Sequence, residues 1–349
     1  MPARPLVSVL LPVRDGGAYL PDAIASLGAQ TLEDFEVVVV DDGSIDETPD
    51  TLAAWASRDP RVRVLTQTPS GIVAALERAR AAARAPYLAR MDADDVSEPT
   101  RLAAQLALMD ADPTLVACGT GVTYFPKEEV RDGALRYQAW INAAVTPDEI
   151  AREIFVECPI AHPSFFLRAE AVAEVGGYRD VGWPEDYDLL LRLWAAGGRL
   201  GKVPEALLRW RERPERLSRA DLRYAPEAFL ACKLHHLRRT LLRGREGVVI
   251  WGAGPVGKAA ARALVATPAR LLAFVDLDPR KIGQEIHGAP VLDTEQGLRV
   301  GLAAGVREGA PTGRVLHLAA VGQPGARERI RATLEGGGLR ELEDFVAVA

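Results

Sequence analysis

Apolar residues fall along the first part of this chain in short continuous runs: Val7–Val13 (VSVLLPV), Phe35–Val40 (FEVVVV), Val62–Leu65 and Tyr87–Arg90. Helix-length stretches separate them, at Tyr19–Gln30, Glu47–Arg58 and Ile72–Ala83. Strands that are apolar on both faces and alternate with helices predict a mostly parallel sheet with helices on both faces, an α/β domain. Ligands of such sheets bind beyond the carboxyl ends of the strands. The residues found there are Pro12-Val13-Arg14-Asp15, Asp41-Asp42-Gly43-Ser44 and Asp92-Ala93-Asp94-Asp95, and two of the three sets are acidic. A P-loop would need GxxxxGK[ST] after the first strand, and PVRDGG has neither the lysine nor the spacing.

The pattern changes after Arg219. Leu230, Leu234, Leu237 and Leu241 repeat at i, i+4, i+7 and i+11, which predicts an amphipathic helix. The segment 216–245 carries eight Lys or Arg against Asp221 and Glu227. Two readings fit it: a connecting helix packed between domains, or a basic face for peripheral contact with anionic lipid through Arg238, Arg239, Arg243 and Arg245. The α/β rhythm then restarts with a strand at Val248–Trp251, a glycine loop GAGPVG, a helix at Lys258–Val265 and a strand Leu271–Val275 ending in Asp276. A later strand is expected at Arg314–Ala319 and a helix at Pro324–Glu335. The expected division is a catalytic domain over 1–219, the connecting helix over 220–246 and a smaller Rossmann-like α/β domain over 247–349.

At 349 residues, 48% hydrophobic and 26% charged, the chain has room for about two globular cores. The net charge of −6 gives no reason to expect nucleic acid as a partner. Cys118, Cys158 and Cys232 lie far apart without CxxC spacing, so they are expected to be core thiols in a reducing compartment. No apolar run approaches the ~18 residues of a spanning helix, and the start lacks a signal peptide pattern, so the expected location is cytoplasmic.

Three aspartates within four residues, Asp92, Asp94 and Asp95, repel one another unless a cation compensates. Mg or Mn takes hard oxygen ligands, one or two carboxylates plus phosphate and water, and a terminating strand aims two such side chains at one crevice. The alternative is that these aspartates form a turn or cap a helix beginning near Glu98, with Pro99 an early helical residue.

The combination VSVLLPVRDGGAYLPDAIASLGAQTLEDFEVVVVDDGSIDET, GIVAALERARAAARAPYLARMDADDVSEPTRLAAQ and GWPEDYDLLLRL resembles the family 2 glycosyltransferases of the GT-A fold over about residues 5 to 219. The resemblance implies a GT-A nucleotide-sugar-binding domain and inverting transfer from a UDP-, dTDP- or GDP-linked sugar to an acceptor hydroxyl on a saccharide, lipid-linked or protein acceptor. Asp41, with Asp42 beside it, matches the aspartate on the base of the donor, and Pro12 matches the proline along the nucleoside. Asp94 matches the metal ligand and Asp92 the residue nearer the sugar or ribose. Glu185-Asp186 matches the acidic pair on the acceptor side, with Asp186 the general base. His162, within CPIAHPSFFLRAEAVAEVGGY, is either a phosphate or acceptor contact or a structural hydrogen bonder. Read without the family, Glu185 and Asp186 are equally the acidic N-terminal turn of a helix running into Leu189–Leu193.

The chain departs from the family where RWRERPERLSR puts Arg213 in place of a histidine. Arg211 and Arg213 are then candidates for phosphate rather than metal. Glu77 stands where a polar amide is frequent. At the far end, Gly252, Gly254 and Gly257 after a strand, with Asp276 ending the next, supply the context of a dinucleotide fingerprint. About 100 residues suggest half of a dinucleotide fold, and no Tyr-x-x-x-Lys pair follows. The loop therefore reads either as a second nucleotide site for NAD(P) or as part of a structural, regulatory or homo-oligomerisation domain. Rival functions are an NAD(P)-linked nucleotide-sugar oxidoreductase or epimerase and a non-catalytic sugar-nucleotide-binding protein.

Overall fold

The computed structural model describes residues 4–213, 216, 221–264, 269–300 and 315–349. It divides into two units, Met1–Ile150 with Pro159–Leu222, and Ala151–Cys158 with Arg223–Ala349.

The strands of the first unit are β1 (Val7–Val13), β2 (Phe35–Asp41), β3 (Val62–Thr66), β4 (Tyr87–Arg90), β5 (Val96–Ser97), β6 (Leu115–Phe125), β7 (Phe166–Arg168) and β8 (Arg199–Arg211). They form one sheet in the order β3-β2-β1-β4-β7-β6-β8-β5. The first four are parallel, joined through helices Leu20–Gly28, Thr48–Arg58 and Ile72–Ala82, as the apolar runs predict. Every residue of β1 and β2 is buried, which is why these strands carry no polar alternation. Val7, Val9 and Leu11 pack with Leu20, Ala23 and Leu27 in the main core. Beyond β4 the sheet turns mixed: β7 is antiparallel to β4 and β6, and β5 to β8, while β6 and β8 are parallel.

Pro12 lies inside a central strand, where a missing N–H normally breaks the ladder. Val13 O accepts from Asp42 N on the β2 side, and Leu10 O accepts from Met91 N on the β4 side. Pro12, two residues on from Leu10, therefore turns its missing donor toward β4, whose pairing with β1 has already ended at Leu10. No hydrogen bond is lost, and the opening between the two strand ends is where the acidic loops emerge.

The second unit carries β9 (Gly247–Trp251), β10 (Arg270–Val275), β11 (Glu285–Ile286), β12 (Ala289–Leu292), β13 (Val315–Ala319) and β14 (Phe345–Ala347), in the order β11-β12-β10-β9-β13-β14. All pairs are parallel except β11 with β12. Strands lie on both sides of β9, so the unit holds more than the half fold that its length suggested. The helix after the glycine loop starts at Pro255 rather than Lys258, since proline suits a first helical position. Val265 and Arg314 lie outside the described residues.

Helix Pro226–Arg239 belongs to this second unit, burying Leu234 and Leu237 and packing on helix Pro255–Leu264. Arg238 donates to Ala263 O and Arg245 to Glu343 O, so these two cations serve the unit's own fold, while Arg239 and Arg243 are exposed. The short segment Ala151–Cys158 is held here by charge: Glu153 pairs with Arg327 at 2.8 Å and Arg331 at 2.7 Å, and Arg152 with Glu335 and Glu341. Cys118, Cys158 and Cys232 are buried and take part in no disulfide. Among the described residues no helix is long and apolar enough to cross a membrane.

Candidate functional site

The loops after β1 and β2 are laced together. Asp15 N donates to Ser44 Oγ, Ile45 N to Asp15 Oδ1, Gly16 N to Thr48 Oγ1 and Gly17 N to Asp46 Oδ2, each at 2.9 Å. The two aspartates ending β2 divide their work. Asp42 is saturated, accepting from Gln67 Nε2 (2.7 Å), Ser70 N (2.8 Å) and Gly71 N (2.8 Å), and so fixes the 67–71 loop. Asp41 Oδ1 accepts from Ser44 N, and its other oxygen makes no hydrogen bond with the described residues. The register Val13↔Asp41 sets Asp41 at the same carboxyl end as Pro12.

Across the sheet, Asp92, Asp94 and Asp95 follow β4, and one carboxylate oxygen from each lies within 4.8 Å of the other two. The helix after them begins at Arg101 with Thr100 as its N-cap and no side-chain cap, so the aspartates do not cap it. Burial, and then the charge of Asp92, raises the Asp94 carboxyl, with Arg213 acting against both. Asp95 is pushed well above the usual carboxylate range by burial and then by Asp92 and Asp94. Its Oδ2 is buried without a partner. Clustered hard oxygen donors whose ionisation is penalised by burial and mutual repulsion fit a Mg- or Mn-like cation.

Two arginines from the end of β8 reach this cluster. The antiparallel register Val96↔Arg209 continues to set Arg211 beside Asp94. Arg211 N donates to Asp95 Oδ1 at 2.8 Å and its Nε to Asp94 O at 2.6 Å, its Nη2 pairs with Asp22, and its guanidinium lies over the Tyr19 and Phe125 rings. Arg213 Nε pairs with Asp94 Oδ2 at 2.8 Å. Arg211 thus braces the acidic loop, and Arg213 sits on the carboxylate itself.

A buried arginine lies behind the acidic cluster, and its charge is also felt at the second acidic pair. Arg90, the last residue of β4 and 1% exposed, pairs with Asp92 Oδ1 at 2.5 Å. Its charge acts on His162, Tyr178 and Asp186. His162 shares a hydrogen bond with Tyr178 OH (3.2 Å), and its Nδ1 lies 3.7 Å from Glu185 Oε1. Burial, then Arg90, holds His162 well below its usual pKa, so the imidazole is neutral and its approach to Glu185 is not an ion pair. Glu185 and Asp186 open the helix Glu185–Ala195, whose N-cap is Pro184 without side-chain capping. Glu185 is buried, whereas Asp186 keeps a partly exposed edge. Burial, followed by repulsion from Glu185, pushes Asp186 up to about 7.

Sequence reasoning missed Arg90, Arg101 and Tyr178, and named Asp95 only as a member of the acidic cluster. Arg101 is fully buried and donates to Arg90 O (2.6 Å) and Pro163 O (3.1 Å), stapling the end of β4 to the His162 turn. Burial draws its pKa down to about 10, which leaves it charged at neutral pH. A signal was present in Arg90, a charged residue ending a run otherwise apolar on both faces. Glu77 takes Tyr178 N (2.6 Å) and Arg80, so it holds the loop that carries Tyr178.

In the second unit Gly252, Gly254 and Asp276 line a cavity of about 610 Å³, and Gly257 packs beneath it. Asp276 is already engaged: Oδ2 accepts from Ala253 N and Lys281 Nζ at 2.9 Å, and Oδ1 from Asp278 N at 2.9 Å.

Comparison with known proteins agrees with the first unit. Residues 8–176 match the family described as glycosyl transferase family 2. EpsE of Bacillus subtilis (strain 168) is 28% identical over 242 residues, covering 67% of this chain and 84% of EpsE. The amylovoran biosynthesis glycosyltransferase AmsE of Erwinia amylovora is 28% identical over 193 residues, 55% of this chain and 70% of AmsE. The chondroitin synthase of Pasteurella multocida (strain Pm70) is 30% identical over 195 residues, but the chain spans only 19% of its length. Among solved structures, S. aureus TarS 1–349 in complex with UDP-GlcNAc superposes with a TM-score of 0.55 at 17% identity, over 74% of this chain and 71% of that one. The family match, together with this shared GT-A architecture, places the first unit of the chain among the family 2 glycosyltransferases.

Proposed function

We propose that the protein is a cation-dependent, inverting glycosyltransferase that moves a sugar from a nucleoside diphosphate to an acceptor hydroxyl during assembly of a polysaccharide or related glycoconjugate. The observation that carries the reading is the presence of two acidic sites of different kind: a cluster of three aspartates, two of them with raised carboxyls, and one carboxylate, Asp186, poised near neutrality. The names of AmsE and chondroitin synthase support the polysaccharide setting.

In this reading Pro12 and the open oxygen of Asp41 receive the nucleoside, and Asp42 acts indirectly by shaping the 67–71 loop. Asp94 and Asp92 would hold Mg or Mn, which when bound neutralises charge on the departing diphosphate. Arg213 supplies a second positive group beside Asp94 for the same diphosphate. Asp186 accepts the proton of the attacking hydroxyl, and a base facing away from the leaving group gives inversion in one displacement. Glu185 raises the basicity of Asp186, with the neutral His162 ring, bonded to Tyr178, beside Glu185.

The test is a transfer assay over UDP-, dTDP- and GDP-sugars with Asp186→Asn alongside. Loss of ~100 to 10,000-fold in transfer with donor binding retained is expected of general-base removal. Equal loss of donor binding would take the base role away from Asp186.

A further inference from the structure

The cavity of the second unit has features that glycosyl transfer does not use. It lies where the strand order reverses between β9 and β13, lined by Gly252 and Gly254 after β9 and by Ala320 to Gln323 after β13. In open α/β sheets that reversal is where the crevice for a ligand forms. At about 610 Å³ it is within the range of small-molecule and cofactor sites.

The glycines divide into three kinds of necessity. Gly252 adopts φ +115, and a Cβ there would meet Ala320 O at 2.9 Å, so the turn itself excludes a side chain. At Gly257 a Cβ would fall 1.9 Å from Gly252 O, so close helix packing excludes it. Gly254 is different. Its φ is not in the left-handed region, and a Cβ would find no atom within 4 Å. Among the described residues no steric contact requires glycine at 254, and the residue lines the cavity. Gly322, on the opposite wall, is likewise free of any steric demand from the protein. The N–H groups of Gly254, Val256 and Gly257 make no hydrogen bond with the described residues. Lys281 and Arg329 bring two positive charges to the lining, against Asp276, which Lys281 and two backbone N–H groups already satisfy. Leu277, 78% exposed, and Val256, 37% exposed, offer apolar surface at the same cavity.

We propose that this cavity binds a nucleoside pyrophosphate, with the pyrophosphate against Gly254 and the free N–H groups of the following turn, Arg329 and Lys281 facing its charge, and the base on Leu277 and Val256. The site is separate from the donor site of the first unit. Its ligand chemistry is shared by two sources, an adenine dinucleotide or the nucleotide part of a sugar donor. Asp276 is held by Lys281 and two backbone N–H groups, so the ribose side of the site is not the free acid that reads a 2′-hydroxyl.

The test is calorimetric titration of the full chain in chelator, where the cation-dependent site is silent, with ADP, NAD+, NADP+, UDP and GDP in turn. Binding of at least one is expected, unchanged in Asp94→Asn and weakened at least about tenfold in Gly254→Val, whose Cβ meets no described atom within 4 Å. Arg329→Gln, at an exposed position, serves as second variant should Gly254→Val not fold, and is expected to weaken the same ligand about tenfold. Binding confined to adenine nucleotides identifies a dinucleotide source, and binding of UDP or GDP a sugar-nucleotide source. No binding of any probe, or binding that both cavity variants leave intact, overturns the proposal.

Discussion

A carboxylate that titrates near 7 makes the pH profile of transfer a direct probe of the acceptor side. An ordinary aspartate at 3.8 is fully ionised throughout the neutral range, and a reaction that uses it as base would not change between pH 6 and 8. Asp186 at about 7 is about 10% ionised at pH 6, about 50% at pH 7 and about 90% at pH 8, so kcat/KM for the acceptor should rise about ninefold across that interval. Burial is the larger cause and Glu185 the next. Glu185→Gln should therefore move the acidic limb to lower pH without returning it to the value of a solvated aspartate. The same shift has a cost for folding. The folded state holds this proton more tightly than the unfolded chain, so ionisation opposes folding as pH rises from about 4 to about 7. The difference of roughly three units corresponds to at most about 4 kcal/mol. Asp186→Asn should accordingly be more stable than the parent at pH 8 and nearly equal to it at pH 3.5, while losing transfer. A profile that is flat from pH 5 to 8, or a limb that Glu185→Gln leaves in place, would refute the assignment.

Three further outcomes are expected. Asp42→Ala removes the acceptor of Gln67, Ser70 and Gly71 and should lower stability by roughly 2 to 4 kcal/mol in urea unfolding; a loss under about 1 kcal/mol would show that the loop is held by other means. Trp251 Nε1 donates to His317 Nδ1, which burial holds at about 4; this histidine must stay neutral to fold, so stability should fall from about pH 6.5 down to about pH 4 by up to about 3 kcal/mol, and His317→Leu should remove that part of the slope. Glu153→Ala leaves Arg327 and Arg331 without their shared partner and should cost the second unit about 1 to 3 kcal/mol, readable as an earlier transition by calorimetry, whereas an unchanged transition would reduce the pairs to surface decoration.

The strand ends that carry Asp41 and Asp92 were legible because β1, β2 and β4 are fully buried, and burial on both faces leaves an unbroken apolar run that stops where the loop begins. The return half of the sheet was not. The two residues of β5 have no periodicity to detect, yet their pairing with β8 is what puts Arg211 beside Asp94. Arg90 was overlooked for the opposite reason: an arginine ending a strand reads as solvated, although the run it ends is apolar on both faces, and its burial beside Asp92 makes its charge felt at His162 and Tyr178. The expected division at 219 also put PDEIARE in the catalytic domain, whereas Arg152 and Glu153 within it pair with charges far along the chain at Arg327, Arg331, Glu335 and Glu341. Local sequence carries no trace of such partners.

The most direct test of the central claim is calorimetric titration with UDP, GDP and dTDP, each with Mn and with chelator, on the parent chain and on Asp94→Asn. The account predicts that one nucleotide gains affinity from Mn and that Asp94→Asn abolishes this gain while leaving any chelator-resistant binding unchanged. A Mn-dependent gain that survives in Asp94→Asn, or no gain with any of the three, would contradict it.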